Sequence, residues 1–227
     1  MCGRFTINYT YEQLLKFLET DFSIFDYEND IGYPNYNVSP GQEVLSVIYD
    51  GENYRAGTFN WGIHVTHNNK TTRMINARSE TVDSLSTFKD SFFNKRCIIL
   101  ASGYYEWNTY NGSRSPYYIH LDGDKYIAFA GIWSKYVKDG KPIYTTSLLT
   151  TKPNNQLEDI HHRMPVILDK AGVSRWLNKD TDLESLQQLM KSKEISGLLK
   201  YQVSPYVNST KNNDHKCIEK QEEITLF

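Results

Sequence analysis

Pro116-Tyr117-Tyr118-Ile119-His120-Leu121-Asp122-Gly123-Asp124-Lys125-Tyr126-Ile127-Ala128-Phe129-Ala130-Gly131-Ile132-Trp133 holds two runs of β-branched and aromatic residues on either side of an Asp-Gly turn signal. The same pattern recurs at Asp50-Gly51, Asn111-Gly112 and Asp139-Gly140. Strands are therefore expected at Val44–Tyr49, Ile98–Ser102, Pro116–Leu121, Tyr126–Trp133 and Tyr144–Thr151. Cys2–Ile7 is expected as one more, which places the N-terminus inside the sheet system. Helices are fewer. Thr10-x-x-Gln13 reads as a capping box ahead of an apolar stripe at Tyr11, Leu14, Leu15 and Leu18. Asp169–Leu177 and Asp182–Met190 read as two further helices. The expectation is one α+β domain of antiparallel, partly closed β-sheets with a few flanking helices, spanning residues 1–214. A charged, loose tail is expected over residues 215–227.

Composition agrees with a packed domain. Leu, Ile, Val and Phe make up about a quarter of the 227 residues, above the ~20% level below which chains stay disordered. Tyrosine is common at 17, so much apolar surface carries a hydroxyl suited to a site or rim. The formal charge of −2 means that an anionic partner must be held by a local cluster of cations. No apolar run approaches the 18 or so residues of a membrane span, and Met1-Cys2-Gly3-Arg4-Phe5-Thr6-Ile7 lacks the apolar core of a signal peptide. A soluble intracellular monomer is expected. The three cysteines form no C-x-x-C pair and leave one over, which argues against a disulfide framework and a zinc site. No metal or cofactor is expected. Cys97 reads as a buried strand cysteine, and Cys217 as incidental in a charged segment.

Three places carry residues suited to chemistry. Cys2 would, after removal of Met1, present a free α-amine beside its thiol, two nucleophiles with ordinary pKa values of about 8 and about 8.5. The amine can form a Schiff base with an aldehyde, and the thiol can then close a thiazolidine ring. By position alone, a cysteine at codon two is more often a chance residue than a functional one. Glu106 sits among aromatic neighbours in Gly103-Tyr104-Tyr105-Glu106-Trp107, a setting that raises a carboxyl pKa and suits proton transfer, although an exposed strand charge is the common case. His161 and His162 directly precede a strand-like run. Alternation along an extended segment would turn them to opposite faces, so at most one would face a shared site and a metal pair is not expected.

These segments together resemble the SRAP family of abasic-site processing proteins over almost the full chain. The resemblance rests on Met1-Cys2-Gly3-Arg4-Phe5, Tyr36-Asn37-Val38-Ser39-Pro40, Ile75-Asn76-Ala77-Arg78-Ser79-Glu80-Thr81 and Gly103-Tyr104-Tyr105-Glu106-Trp107. It continues in Ala130-Gly131-Ile132-Trp133, Thr150-Thr151-Lys152-Pro153-Asn154, Asp159-Ile160-His161-His162-Arg163-Met164-Pro165-Val166-Ile167-Leu168 and Val207-Asn208-Ser209-Thr210-Lys211-Asn212. It implies covalent capture of abasic sites in single-stranded DNA, with lyase and thiol autopeptidase activity as further expectations. By that resemblance, Cys2 is the nucleophile, Asn76 fixes the opened sugar or the amine, Glu106 takes the amine's proton, and His161 moves protons at the sugar oxygen. Arg4, Arg78 and Arg163 match positions that clamp phosphates, with Pro40 and Thr150 lining the groove.

One segment departs from the family pattern. Family members usually follow the Trp-Gly pair with a loop containing Pro and Trp that wedges against bases. Here Trp61-Gly62 leads into Ile63-His64-Val65-Thr66-His67-Asn68-Asn69-Lys70-Thr71, leaving His64 and His67 as the residues able to stack on a base. Two other readings stay open. One is an N-terminal-nucleophile hydrolase or cysteine peptidase using Cys2, His161 and Glu106. The other is a noncovalent single-stranded DNA-binding module in which Cys2 is passive.

Overall fold

The chain opens on β1 (Arg4–Ile7), which is hydrogen-bonded between two later strands, so the N-terminus enters the interior as expected. The computed structural model describes residues 2–25, 27, 32–68, 70–110, 112–123 and 125–222. α1 (Tyr11–Phe22) carries the capping box: the Gln13 backbone N–H donates to Thr10 Oγ1, and the Thr10 N–H donates to Gln13 Oε1. Leu14, Leu18 and Phe22 form its buried face, with Phe22 edge-on to Tyr54 at 5.5 Å. Then come β2 (Asn35–Val38), β3 (Glu43–Tyr49) and β4 (Tyr54–Trp61), the last two an antiparallel pair across Asp50-Gly51. β5 (Ile63–His67) and β6 (Lys70–Met74) pair with each other as a separate ribbon, and β7 (Asn76–Arg78) returns the chain to the body of the fold.

α2 (Ser86–Asn94) has no sequence signal at its start, since Leu85 precedes it and no side chain caps it. Its end is secured from elsewhere. The buried Arg96 donates to the carbonyls of Phe92, Phe93, Trp176 and Asn178, neutralising the exposed ends of two helices at once. β8 (Arg96–Ala101), β9 (Gly103–Tyr110), β10 (Ser113–Leu121), β11 (Ile127–Lys138) and β12 (Lys141–Thr151) are the long central strands. Short β13 (Met164–Pro165) and β14 (Ile167–Leu168) precede α3 (Lys170–Leu177), α4 (Leu183–Leu189) and β15 (Leu198–Gln202). Asp169 and Asp182 cap the two helices through the backbone N–H groups of Gly172 and Ser185, where the sequence predicts their starts.

Two sheets share the work. One runs β15-β10-β9-β1-β2; the other closes β3, β4, β12, β11 and β8 into a ring, with β7, β13 and β14 attached. The closure matches the expected partly closed sheets. The Asp122-Gly123 turn behaves differently from its relatives. It joins β10 to β11 without pairing them, because β10 belongs to the first sheet and β11 to the barrel.

β1 is the seam between the sheets. Phe5 pairs in register with Val38 and Tyr104 through its backbone, while its ring meets Trp61 at 4.9 Å and Phe129 at 6.0 Å. All three rings are fully buried. A second, smaller cluster of Tyr105, Tyr118, Val203, Val207 and Cys217 lies on the other face of the five-stranded sheet.

That cluster corrects the expected loose tail. His215–Cys217 forms a 3-10 turn, Cys217 is fully buried, Tyr201 donates to the Ile218 carbonyl at 2.8 Å, and the Gln221 N–H donates to Gln202 O at 2.9 Å. Charge dominates the composition there, but Cys217 and Ile218 supply enough apolar surface to dock it. Residues 223–227 of that segment lie outside the described residues, as does Asn111 of the Asn111-Gly112 turn.

Emptying the Phe5 seat should cost about 3–5 kcal/mol, the usual range for truncating a buried Phe. Urea denaturation of Phe5→Ala checks this. A loss under about 1 kcal/mol would mean that the seam is held by backbone pairing alone.

Candidate active site

Cys2 lies two residues ahead of β1, fully buried, with its Sγ 3.9 Å from the Arg4 carbonyl. Asn76, the first residue of β7, donates from Nδ2 to the Cys2 carbonyl at 2.9 Å. The segment that delivers Asn76 is rigid. The Ile75 carbonyl accepts from the Leu148 N–H and from Trp61 Nε1, both at 3.0 Å, and the Met74 carbonyl accepts from Ser147 Oγ. Asn76 Oδ1 is buried and has no hydrogen-bond partner among the described residues. A buried acceptor left in that state costs roughly 1–3 kcal/mol.

Glu106 projects from β9, which pairs with β1, and is buried. Burial raises its carboxyl pKa, so it holds a proton more readily than a surface glutamate. Burial also pushes the Cys2 thiol well up, and the Glu106 carboxylate adds to the effect. The thiol is thereby kept protonated, and Cys2 Sγ makes no hydrogen bond to an imidazole among the described residues.

His161 is presented by the turn at 155–160, which is tied to β9 where Asn108 Nδ2 donates to the Asp159 carbonyl at 2.7 Å. His161 Nδ1 lies 3.0 Å from the Arg163 N–H and 3.2 Å from the Arg163 carbonyl, so the Arg163 backbone orients the ring. Burial pushes this imidazole down to about 4, helped by the neighbouring His162. Here the expectation from strand alternation fails. The two rings stack with centroids 4.2 Å apart and an angle of 28°, because residues 161–163 precede β13 and are not extended.

The cations expected to hold phosphates divide in two. Arg78, on β7, is exposed and makes no hydrogen bond or ion pair among the described residues. Arg4 is engaged: Nη1 donates to Asn37 Oδ1 at 2.7 Å and the Val207 carbonyl at 3.0 Å, and Nη2 to the Asn208 carbonyl at 3.4 Å. Arg163 is engaged more fully, donating to both Glu80 carboxylate oxygens at 2.6 and 2.9 Å and to the Thr150 carbonyl at 2.5 Å. Thr150 is fully buried, so it does not line a groove itself and reaches the surface through Arg163. Pro40 is exposed in the turn between β2 and β3.

Sequence reading assigned no role to Asn37 or Glu80, although both lie inside the quoted motifs. Asn37 also donates to the carbonyls of Val207, Ser209 and Asn212, tying two of those motifs together. Trp107 is flanked by two guanidiniums, Arg114 at 4.9 Å and Arg4 at 5.8 Å from the ring centroid. His64 is occupied by Tyr136, whose ring it meets at 4.9 Å, and so is not held ready for a base. The His67 side chain and Met1 lie outside the described residues.

Comparison with known proteins follows the same residues. The profile of the family SRAP, SOS response associated peptidase, matches residues 1–210. Abasic site processing protein YoqW of Bacillus subtilis is 39% identical over 225 residues, covering 96% of this chain and 99% of its own. Abasic site processing protein YedK of Escherichia coli is 30% identical over 185 residues, with 79% and 81% covered. An X-ray crystal structure of a Bacteroides thetaiotaomicron protein superimposes with a TM-score of 0.79, covering 97% of this chain and 100% of that one. At 21% identity it establishes the shared fold.

His161 should titrate near 4, well below the ~6.5 of a free imidazole, and so stay neutral above about pH 5. Removing the stacked ring in His162→Ala should raise that midpoint, because both shielding from water and like-charge repulsion decrease. NMR titration of the imidazole proton reads both. A midpoint at the free-imidazole value in the intact protein would refute the burial argument.

Proposed function

Because the chain belongs to the SRAP family, we propose that it captures abasic sites in single-stranded DNA covalently through Cys2. The observation that carries this reading is the Cys2 backbone held by Asn76 in a buried pocket that also contains Glu106. In the working form Met1 is removed. Glu106, with its raised pKa, accepts a proton from the Cys2 amine and leaves the nitrogen lone pair free to attack. The amine adds to the ring-opened sugar aldehyde, and loss of one water gives an imine. The thiol then adds across the C=N bond: the S–C bond forms, the thiol proton passes to nitrogen, and a thiazolidine results.

The order of steps follows from electrostatics. A thiol kept protonated by burial is a poor first nucleophile, whereas in the second step its proton is consumed. Neutral His161, oriented through Nδ1 by the Arg163 backbone, is suited to exchange a proton with the sugar ring oxygen as the ring opens. Asn76 Oδ1 offers an acceptor for a sugar hydroxyl, holding the aldehyde in near-attack geometry. A cysteine peptidase that relies on His161 needs that imidazole within hydrogen-bonding reach of sulfur, whereas among the described residues the Cys2 thiol meets the Arg4 carbonyl.

Denaturing gels of the protein with abasic and intact single strands test the proposal. An adduct that withstands denaturation should form with the abasic strand alone, at one strand per protein. Cys2→Ala should abolish it, Cys2→Ser should retain at most a reducible imine, and His161→Ala should slow formation by ~10²–10⁴-fold. A stable adduct with Cys2→Ala, or equal retention of both strands, would overturn the reading.

A further inference from the structure

With Arg4 and Arg163 engaged by protein carbonyls and Glu80, the family's phosphate positions leave only Arg78 with an unengaged guanidinium. A single monodentate anchor is a weak hold on a polyanion, and the overall charge of −2 offers no field to help. Another cation beside the site would remedy this. Arg73 is exposed on β6, three residues before Asn76, which puts it within about 10 Å of that residue along the chain.

Its side chain has a built seat. The stem lies on Gly62 and the guanidinium on Gly41, next to Pro40; a methyl group on Gly41 would fall 2.9 Å from Arg73 Cζ, and one on Gly62 would overlap Cγ and Cδ. Both glycines have φ in the left-handed region, +91° and +120°, so a side chain at either is strained by the backbone, and one at Gly62 would also meet the Arg73 stem. No hydrogen bond or ion pair holds the Arg73 guanidinium among the described residues. The charges felt by its cross-strand neighbour His64 are Arg73 and Lys138, both positive.

We propose that Arg73 is a second phosphate contact for the bound strand, on the opposite side of Asn76 from Arg78. The inference rests on the reading of the site as one for single-stranded DNA. β6 and β7 then carry a cation on each side of the residue that holds Cys2, and the strand crosses that line with the lesion between two anchored phosphates. A planar guanidinium seated on glycines loses little freedom on binding, and all its N–H groups remain for phosphate oxygens.

The test is fluorescence anisotropy with an intact, labelled oligothymidine over a salt series. Each lost phosphate contact on a single strand removes about 0.7 from the slope of log affinity against log salt. Arg73→Gln should weaken binding and make the slope shallower by about 0.7, Arg73→Lys should keep the slope, and Lys179→Gln, in the turn after α3, should leave both unchanged. A wild-type slope in Arg73→Gln, a lowered Tm with the slope intact, or no binding of intact strand by the wild type would each overturn the assignment. The abasic-strand gel is read separately. Wild type that forms the adduct while Arg73→Gln keeps its slope refutes the Arg73 contact alone; wild type that forms no adduct refutes covalent capture whatever the slopes show.

Discussion

Everything at this site depends on one residue being unable to leave its place. Phe5 is wedged between Trp61 and Phe129, and its backbone is paired on both sides, so β1 cannot slide or fray as terminal segments usually do. A slip of one residue would turn Phe5 out of the core and bring a polar neighbour in. Position 2 inherits that precision although it lies outside the strand. The end of a chain is normally its most mobile part; here the segment next to it is fixed by rings packed between the two sheets.

Fixing the terminus indoors changes its chemistry. Removal from water disfavours the thiolate, favours the protonated carboxyl and keeps the imidazole neutral, all through the same loss of solvation. Burial thus makes the Glu106 carboxylate a stronger proton acceptor than a surface glutamate and keeps the Cys2 thiol and the His161 ring neutral. The motif arginines follow a different logic. Arg163 clamps Glu80 and Thr150, and Arg4 binds carbonyls at the far end of the chain, so each is first a fastener of the fold. Motif position marks them as indispensable without saying which use makes them so.

Much of this was legible from residues alone. The capping box before α1, the aspartates that start α3 and α4, and the strands rich in Val, Ile and Tyr appear where local chemistry predicts them. β9 gave no alternating signal because both its faces are buried: Tyr104 joins the main core, and Tyr105 joins the smaller cluster. The partition into two sheets was not legible, since an Asp-Gly turn looks the same whether its flanking strands pair or part. The stacking of His161 on His162 was misjudged by carrying strand geometry into residues that precede the strand. Of the site, the residue types were legible; what occupies each guanidinium was not, because partners such as Asn37 and Glu80 are brought in from distant positions.

The contacts between Arg4 and the carbonyls of Val207 and Asn208 join positions about 200 residues apart. Synthesis is directional, so β1 emerges long before the residues that bind Arg4. Throughout that interval β1 lacks its flanking strands, the Trp61–Phe129 seat is unbuilt, and Arg4 has neither the Val207 nor the Asn208 carbonyl to bind. Cys2 is therefore open to water while the later strands are still to come, and its burial belongs to the finished fold alone.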